Sequence, residues 1–142
     1  MANKKIRNAT PLEKDGISFK SKLEARAYEL FKQAGFSVAY EESTVVLAES
    51  FKPEHTVFYS PGGQGLVPYN RRIRGITYTP DFTFKYKDTF IAIDVKGKAN
   101  DTYPIKKKLY LKYLEEEETK SIFIEPHSIA QIKQAIEIIK QL

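Results

Sequence analysis

The sequence predicts an α/β fold in which a central mixed β-sheet is flanked by helices. Two observations carry that prediction. Apolar residues recur at helical spacing in two segments, after Ser21 and after Ser128, with Pro104 suiting the start of a third helix, and alternate at strand spacing between Gly75 and Lys96. The resulting order is helix, strands, hairpin, helix, strand, helix, so the two kinds of element interleave rather than segregate.

Residues 1–17 are polar and basic, contain Asn8, Pro11 and Gly16, and lack periodicity, which predicts a flexible arm ahead of a single domain over 18–142. From Ser21, the positions of Leu23, Ala27, Leu30, Phe31 and Ala34 specify a helix that Gly35 stops. Ser37 to Glu41 and Thr44 to Phe51 are rich in valine and aromatic residues and predict strands. Residues 60–74, with Ser-Pro-Gly-Gly-Gln-Gly and three arginines, predict a long exposed loop. Gly75 to Tyr86 and Thr89 to Lys96 predict a hairpin turning at Lys87-Asp88. Pro104 suits the first turn of a helix running to about Glu117, and Ser121 to Glu125 predicts a short strand. Ser128 with Gln131 forms a capping box for a last helix whose apolar face is Ile129, Ile132, Ile136 and Ile139.

With 142 residues the chain can bury a substantial core, and 42% hydrophobic with 29% charged residues is ordinary globular composition. No apolar run approaches the roughly 18 residues of a membrane span, and no apolar stretch follows the basic N-terminus. The absence of cysteine excludes disulfides and thiolate zinc sites. His55 and His127 are isolated, and neither a Gly-x-Ser-x-Gly elbow nor a P-loop is present. An intracellular, cytoplasmic protein without membrane partners is expected.

The residues with the most chemistry are Asp81 and Asp94. If the hairpin turns at Lys87-Asp88, paired residue numbers sum to 175 and the two aspartates face each other, with Lys96 on the face of Asp94. Opposed like charges are destabilising unless a positive group lies between them. Mg²⁺, with Mn²⁺ as substitute, prefers such oxygen ligands together with water and phosphate. The same residues also fit a simpler role, in which Asp94 and Lys96 line the wet face of a half-buried strand. Glu24 lies at the edge of its helix's apolar stripe and can lean toward the sheet, whereas Glu29 points away. Ser21-Lys22-Leu23-Glu24 is also a capping box, which needs a glutamate for local reasons.

The formal net charge of +5 permits a polyanionic partner. Positive charge clusters at Arg71, Arg72 and Arg74 and at Lys106, Lys107 and Lys108, on either side of the aspartate pair. Lys108 and Lys112 share a helix face four residues apart, with Lys106 and Lys107 directed elsewhere. These six side chains, Arg71, Arg72, Arg74, Lys106, Lys108 and Lys112, are the candidate DNA contacts; basic runs also serve simply to keep a face solvated. Tyr69, Tyr78, Tyr103 and Tyr110 could stack on bases or pack internally.

Pro80-Asp81, the later Asp94-Val95-Lys96 and the preceding helix with Glu24 resemble the PD-(D/E)xK nuclease superfamily. Ser21-x-x-Glu24-Ala25, Ile73-Arg74-Gly75-Ile76-x-Tyr78-Thr79-Pro80-Asp81-Phe82 and Asp94-Val95-Lys96-Gly97 resemble, more narrowly, small phage-encoded nucleases of that group. The resemblance implies a restriction-endonuclease-like αβββαβ core and a phage or prophage origin. It implies that Asp81, Asp94 and the Val95 carbonyl hold a metal, that Lys96 activates the attacking water, and that Glu24 contacts a second metal or its water shell. Asp94 stands where many members carry glutamate, which shortens the reach by one methylene. The expected function is a Mg²⁺-dependent DNA endonuclease, with branched DNA such as the Holliday junction as a substrate, for which a homodimer would suit the symmetry. Its rivals are a non-catalytic DNA-binding accessory protein on the same fold, and an interaction module using Glu115 to Glu118 and the last helix.

Overall fold

The computed structural model describes residues 12–97 and 100–142. Its centre is a four-stranded mixed sheet, which makes the protein α/β as expected. In spatial order the strands are β10 (Ser121–Ile124), β9 (Thr89–Ile93), β8 (Phe82–Tyr86) and β3 (Ala39–Tyr40). β8 and β9 are antiparallel and pair Phe82 with Ile93 through Tyr86 with Thr89, so the register expected from a turn at Lys87-Asp88 is the one present. Lys87 takes a φ of 55°, the left-handed conformation that a two-residue hairpin turn demands. β10 lies parallel to β9, and α2 (Tyr103–Glu116) makes the crossover that parallel neighbours require.

α1 (Lys22–Gln33) begins where the Ser21 hydroxyl accepts from the Glu24 N–H at 3.1 Å. It ends at Gly35, whose φ of 87° lets the chain reverse into Phe36. Its buried side chains, Ala25, Ala27, Leu30 and Phe31, meet Phe82, Phe84, Ile91, Ile93 and Val95 on one face of the sheet. α3 (Ile129–Lys140) completes this layer with Ile132, Ile136 and Ile139. Ile129, expected on that face, is exposed, whereas Ala135 is buried. Phe31, Phe82, Ile91, Ile93, Ile132 and Ile139 are fully buried, each contributing about 1.5–3 kcal/mol.

The opposite face of the sheet is also covered. Ala92 and Phe90 pack under Tyr110, Leu114 and Tyr103 of α2 and under Tyr78. Asp94 and Lys96 therefore sit at the end of a strand buried on both faces, not on a wet one.

Several expected elements differ. β1 (Leu12–Lys14) and β2 (Ile17–Phe19) form a hairpin, so the arm expected over 1–17 is ordered from Leu12; residues 1–11 lie outside the described residues. Gly75 to Tyr86 is two strands, because Pro80 has no N–H to continue a ladder. β7 (Ile76–Tyr78) pairs with β4 (Val45–Ala48) in a separate ribbon, and β8 starts after the break. The stretch expected as a loop over 60–74 contains the return strand of a hairpin, in which β5 (Val57–Tyr59) pairs with β6 (Val67–Tyr69). Among the described residues no helix is long and apolar enough to cross a membrane.

Candidate metal centre

Asp81 and Asp94 meet at the open end of the β8–β9 hairpin. Asp94 is 1% exposed and Asp81 is buried as well. The backbone beyond β9 stays tied to the end of β10 and the chain after it, through Asp94 N–H to the Ile124 carbonyl and Lys96 N–H to the Pro126 carbonyl, each at 3.0 Å. On the other side, the Asp81 carbonyl accepts from Glu41 N–H at 2.8 Å. Neither aspartate can therefore move without breaking ladder bonds.

The side chains interlock. The Val95 N–H donates to Asp81 Oδ2 at 2.8 Å, and the Asp81 N–H reaches Asp94 Oδ1 at 3.4 Å. The Tyr78 hydroxyl donates to Asp94 Oδ2, and Lys96 Nζ lies 3.4 Å from the same oxygen. Burial first, then the charge of Asp94 and further off that of Glu24, push the Asp81 carboxyl up to about 8, against the pull of the Val95 N–H. At neutral pH Asp81 thus keeps its proton unless a cation joins the pair. Two buried carboxylates short of positive charge are oxygen donors of the kind Mg²⁺ takes, so the residues present fit that ion.

Glu24 approaches from α1. Its carboxylate accepts from the Tyr40 hydroxyl at 2.5 Å, so the capping-box position delivers it to the sheet. Burial, and then this bond to Glu24, raise the Tyr40 hydroxyl above its ordinary value and keep it a donor. Carboxylate oxygens of Glu24, Glu41 and Asp81 lie within 4.8 Å of one another. Asp81 is therefore shared between two groups, Asp94 with Lys96 and Glu24 with Glu41. Glu29 does point away, pairing with Lys14 and Arg26.

Glu41 was not legible in the sequence, because only the pairing of β3 with β8 brings it to Asp81. Its signal is conformational: Glu41 follows β3 with a φ of 51°, and Lys20 Nζ stands 2.8 Å from its carboxylate.

Lys96 has a second neighbour. Its Nζ lies 4.3 Å from the ring centroid of Tyr103, whose hydroxyl donates to Glu125 Oε1 at 2.7 Å. Lys107 Nζ reaches the same oxygen at 2.6 Å, and His127 Nε2 lies 2.6 Å from Glu125 Oε2. Burial would raise the Glu125 carboxyl, but Lys107, Tyr103 and His127 outweigh it and hold it at about 2.

That network shows where Lys107 goes. As expected it points away from the Lys108 and Lys112 face; it lies one turn from Tyr103 on the packed side of α2, while Lys106 is half-buried. Lys108 and Lys112 are exposed, and Lys112 pairs with Glu116 at 3.1 Å. Arg71, Arg72 and Arg74 are exposed, with Arg72 donating to Ser50 Oγ at 3.2 Å. Tyr78, Tyr103 and Tyr110 are buried packing residues rather than base platforms, Tyr69 packs edge-on against Tyr59, and His127 is not isolated.

A family model described as "Protein of unknown function (DUF1064)" matches residues 4–124. The chain belongs to that family. The match runs through β10 and so contains Glu24, Glu41, Asp81, Asp94 and Lys96. No curated protein and no solved structure matches the chain.

Proposed function

We propose that this DUF1064 protein is a Mg²⁺-dependent endonuclease that hydrolyses DNA phosphodiesters in the cytoplasm. The observation that carries the reading is the buried, opposed pair Asp81 and Asp94 with Lys96 Nζ 3.4 Å from Asp94. The order α1, β3, β8, β9, α2, β10 supports it, being the succession that the PD-(D/E)xK resemblance implies.

Asp81, Asp94 and the Val95 carbonyl would hold Mg²⁺, and Mn²⁺ would substitute; Glu24 and Glu41 would hold a second ion or its water shell. The ion supplies a water of lowered pKa and offsets charge on the phosphoryl group. Asp94 orients Lys96, and the Tyr103 ring beneath the ammonium restricts it to the side of the carboxylates. Lys96 positions the attacking water and offsets charge developing on the phosphate. Tyr78 occupies the remaining face of Asp94 Oδ2 and fixes that carboxylate's rotation.

The test is cleavage of supercoiled, linear and four-way-junction DNA with Mg²⁺, Mn²⁺ or EDTA, alongside Asp94→Ala and Lys96→Ala variants. Strand scission that needs the metal and is lost in both variants is expected. Cleavage indifferent to EDTA, undiminished in both variants, or absent from wild-type protein that still binds DNA would overturn the assignment.

A further inference from the structure

Between β4 and β7 the chain runs out from the site and returns. Tyr78, bonded to Asp94, pairs with Val45; farther out Ala48 pairs with Ile76, Phe51 with Ile73, and Val57 with Tyr69. A bulge between Val46 and Ala48 re-aims this ribbon, and Gly75 accommodates it: a Cβ there would stand 2.7 Å from the Ala48 carbonyl oxygen.

The outer part is apolar where it should be polar. Phe58 is 57% exposed and Leu66 75% exposed, and Phe51, Val57 and Val67 are exposed too, none of them belonging to either apolar cluster. An isolated two-stranded hairpin is marginal in water, and one dressed with apolar side chains needs a partner. Charge identifies the partner. From His55 to Pro80 there is no acidic residue, and the charged ones are Arg71, Arg72 and Arg74. Two copies meeting through this segment would bring like charges together, whereas a polyanion complements it.

We infer that this ribbon is a DNA-engaging arm selective for branched duplexes, an inference that rests on the nuclease reading for the nature of the polyanion. Arg71, Arg72 and Arg74 seat on phosphates and fix the register. Phe58, exposed on β5, and Leu66, exposed where the turn enters β6, wedge between bases as apolar side chains do in kinked duplexes. Unstacking costs least where stacking is already interrupted, as it is across the branch point of a junction, so the arm favours a branch point over a continuous helix. Because the ribbon starts at Tyr78, engagement by its outer hairpin sets which phosphate lies over Asp81 and Asp94.

The probe is a four-way junction carrying 2-aminopurine beside the branch point, compared with a linear duplex of the same sequence, both in EDTA. Wild-type protein is expected to raise the fluorescence of the junction and not of the duplex. Phe58→Ser with Leu66→Ser should abolish the rise and weaken junction binding roughly five- to a hundredfold, with duplex binding nearly unchanged. Arg71→Gln with Arg72→Gln and Arg74→Gln should weaken both and flatten the log K against log salt slope by about 2–3. No fluorescence rise with wild-type protein overturns the inference, as does an unchanged salt slope. A wild-type dimer that the Phe58 and Leu66 substitutions convert to monomer also overturns it, by making the arm a self-contact. A rise without Mg²⁺-dependent nicking supports the arm and removes the nuclease reading; nicking without a rise does the reverse.

Discussion

Asparagine in place of Asp81 keeps the side chain's size and an oxygen for the Val95 N–H, removes one charge and adds a donor toward Asp94. The wild-type carboxyl is raised from its ordinary 3.8 to about 8 by burial and by Asp94. Below 3.8 the folded and unfolded chains both carry the proton and Asp81 costs nothing; between that value and about 8 only the folded chain holds it, so stability falls as pH rises. At about 1.4 kcal/mol per pH unit that interval amounts to at most about 6 kcal/mol, and single uncompensated buried charges cost about 3–5 kcal/mol, the range that applies to a carboxyl so close to its neighbour. An amide accepts about 1 kcal/mol less strongly than a carboxylate, leaving an expected gain of about 2–4 kcal/mol for Asp81→Asn at pH 8. At about 3 °C per kcal/mol for a chain of this size, the melting temperature should rise by about 6–12 °C. The assay is thermal unfolding in EDTA from pH 4 to 9. The wild-type curve should slope down and the variant's should stay flat, converging near pH 4. Mg²⁺ at a hundredfold its Kd should restore about 2.7 kcal/mol to wild type and little to the variant. Parallel curves over the whole range would refute the reasoning.

Other outcomes follow from the same geometry. Lys96→Met should lower the cleavage rate by about 10²–10⁴-fold with DNA affinity little changed, measured in single-turnover reactions. Tyr103→Leu removes the ring beneath Lys96 and should reduce kcat about tenfold at constant KM, whereas Tyr103→Phe keeps the ring and should retain most activity; equal losses in both would assign Tyr103 a purely structural role. Glu125→Gln should destabilise by about 1–2 kcal/mol at pH 7. Because Glu125 titrates at about 2 in the folded chain against an ordinary 4.5, that difference should shrink as pH falls through this interval, as urea titrations at pH 7, 4 and 2 would read.

How much of this was legible in the sequence depended on whether a local rule decided the matter. The Asp81–Asp94 opposition was legible because a two-residue turn at Lys87-Asp88 fixes every pair by its sum. The placement of Glu24 was legible because the capping position and the helical wheel both follow from spacing within one element. The β4–β7 ribbon was not, since Tyr78 and Phe82 read as one alternating strand and only the Pro80 break separates their sheets. That Lys107 faces away from Lys108 and Lys112 was legible from spacing, but not that it meets Glu125, because α2 is amphipathic only weakly and its packed side is set by tyrosines that a hydrophobic count underweights. Glu41 and the Glu125 network depend on long-range strand pairing, which leaves no mark in local spacing.

The central claim is that Asp81 and Asp94 hold a divalent cation. Anomalous diffraction from crystals grown with Mn²⁺ measures this directly. The account predicts a peak within about 2.3 Å of oxygens from both aspartates, absent from Asp94→Ala crystals. Mn²⁺-grown crystals with both carboxylates ordered and no peak between them would contradict it.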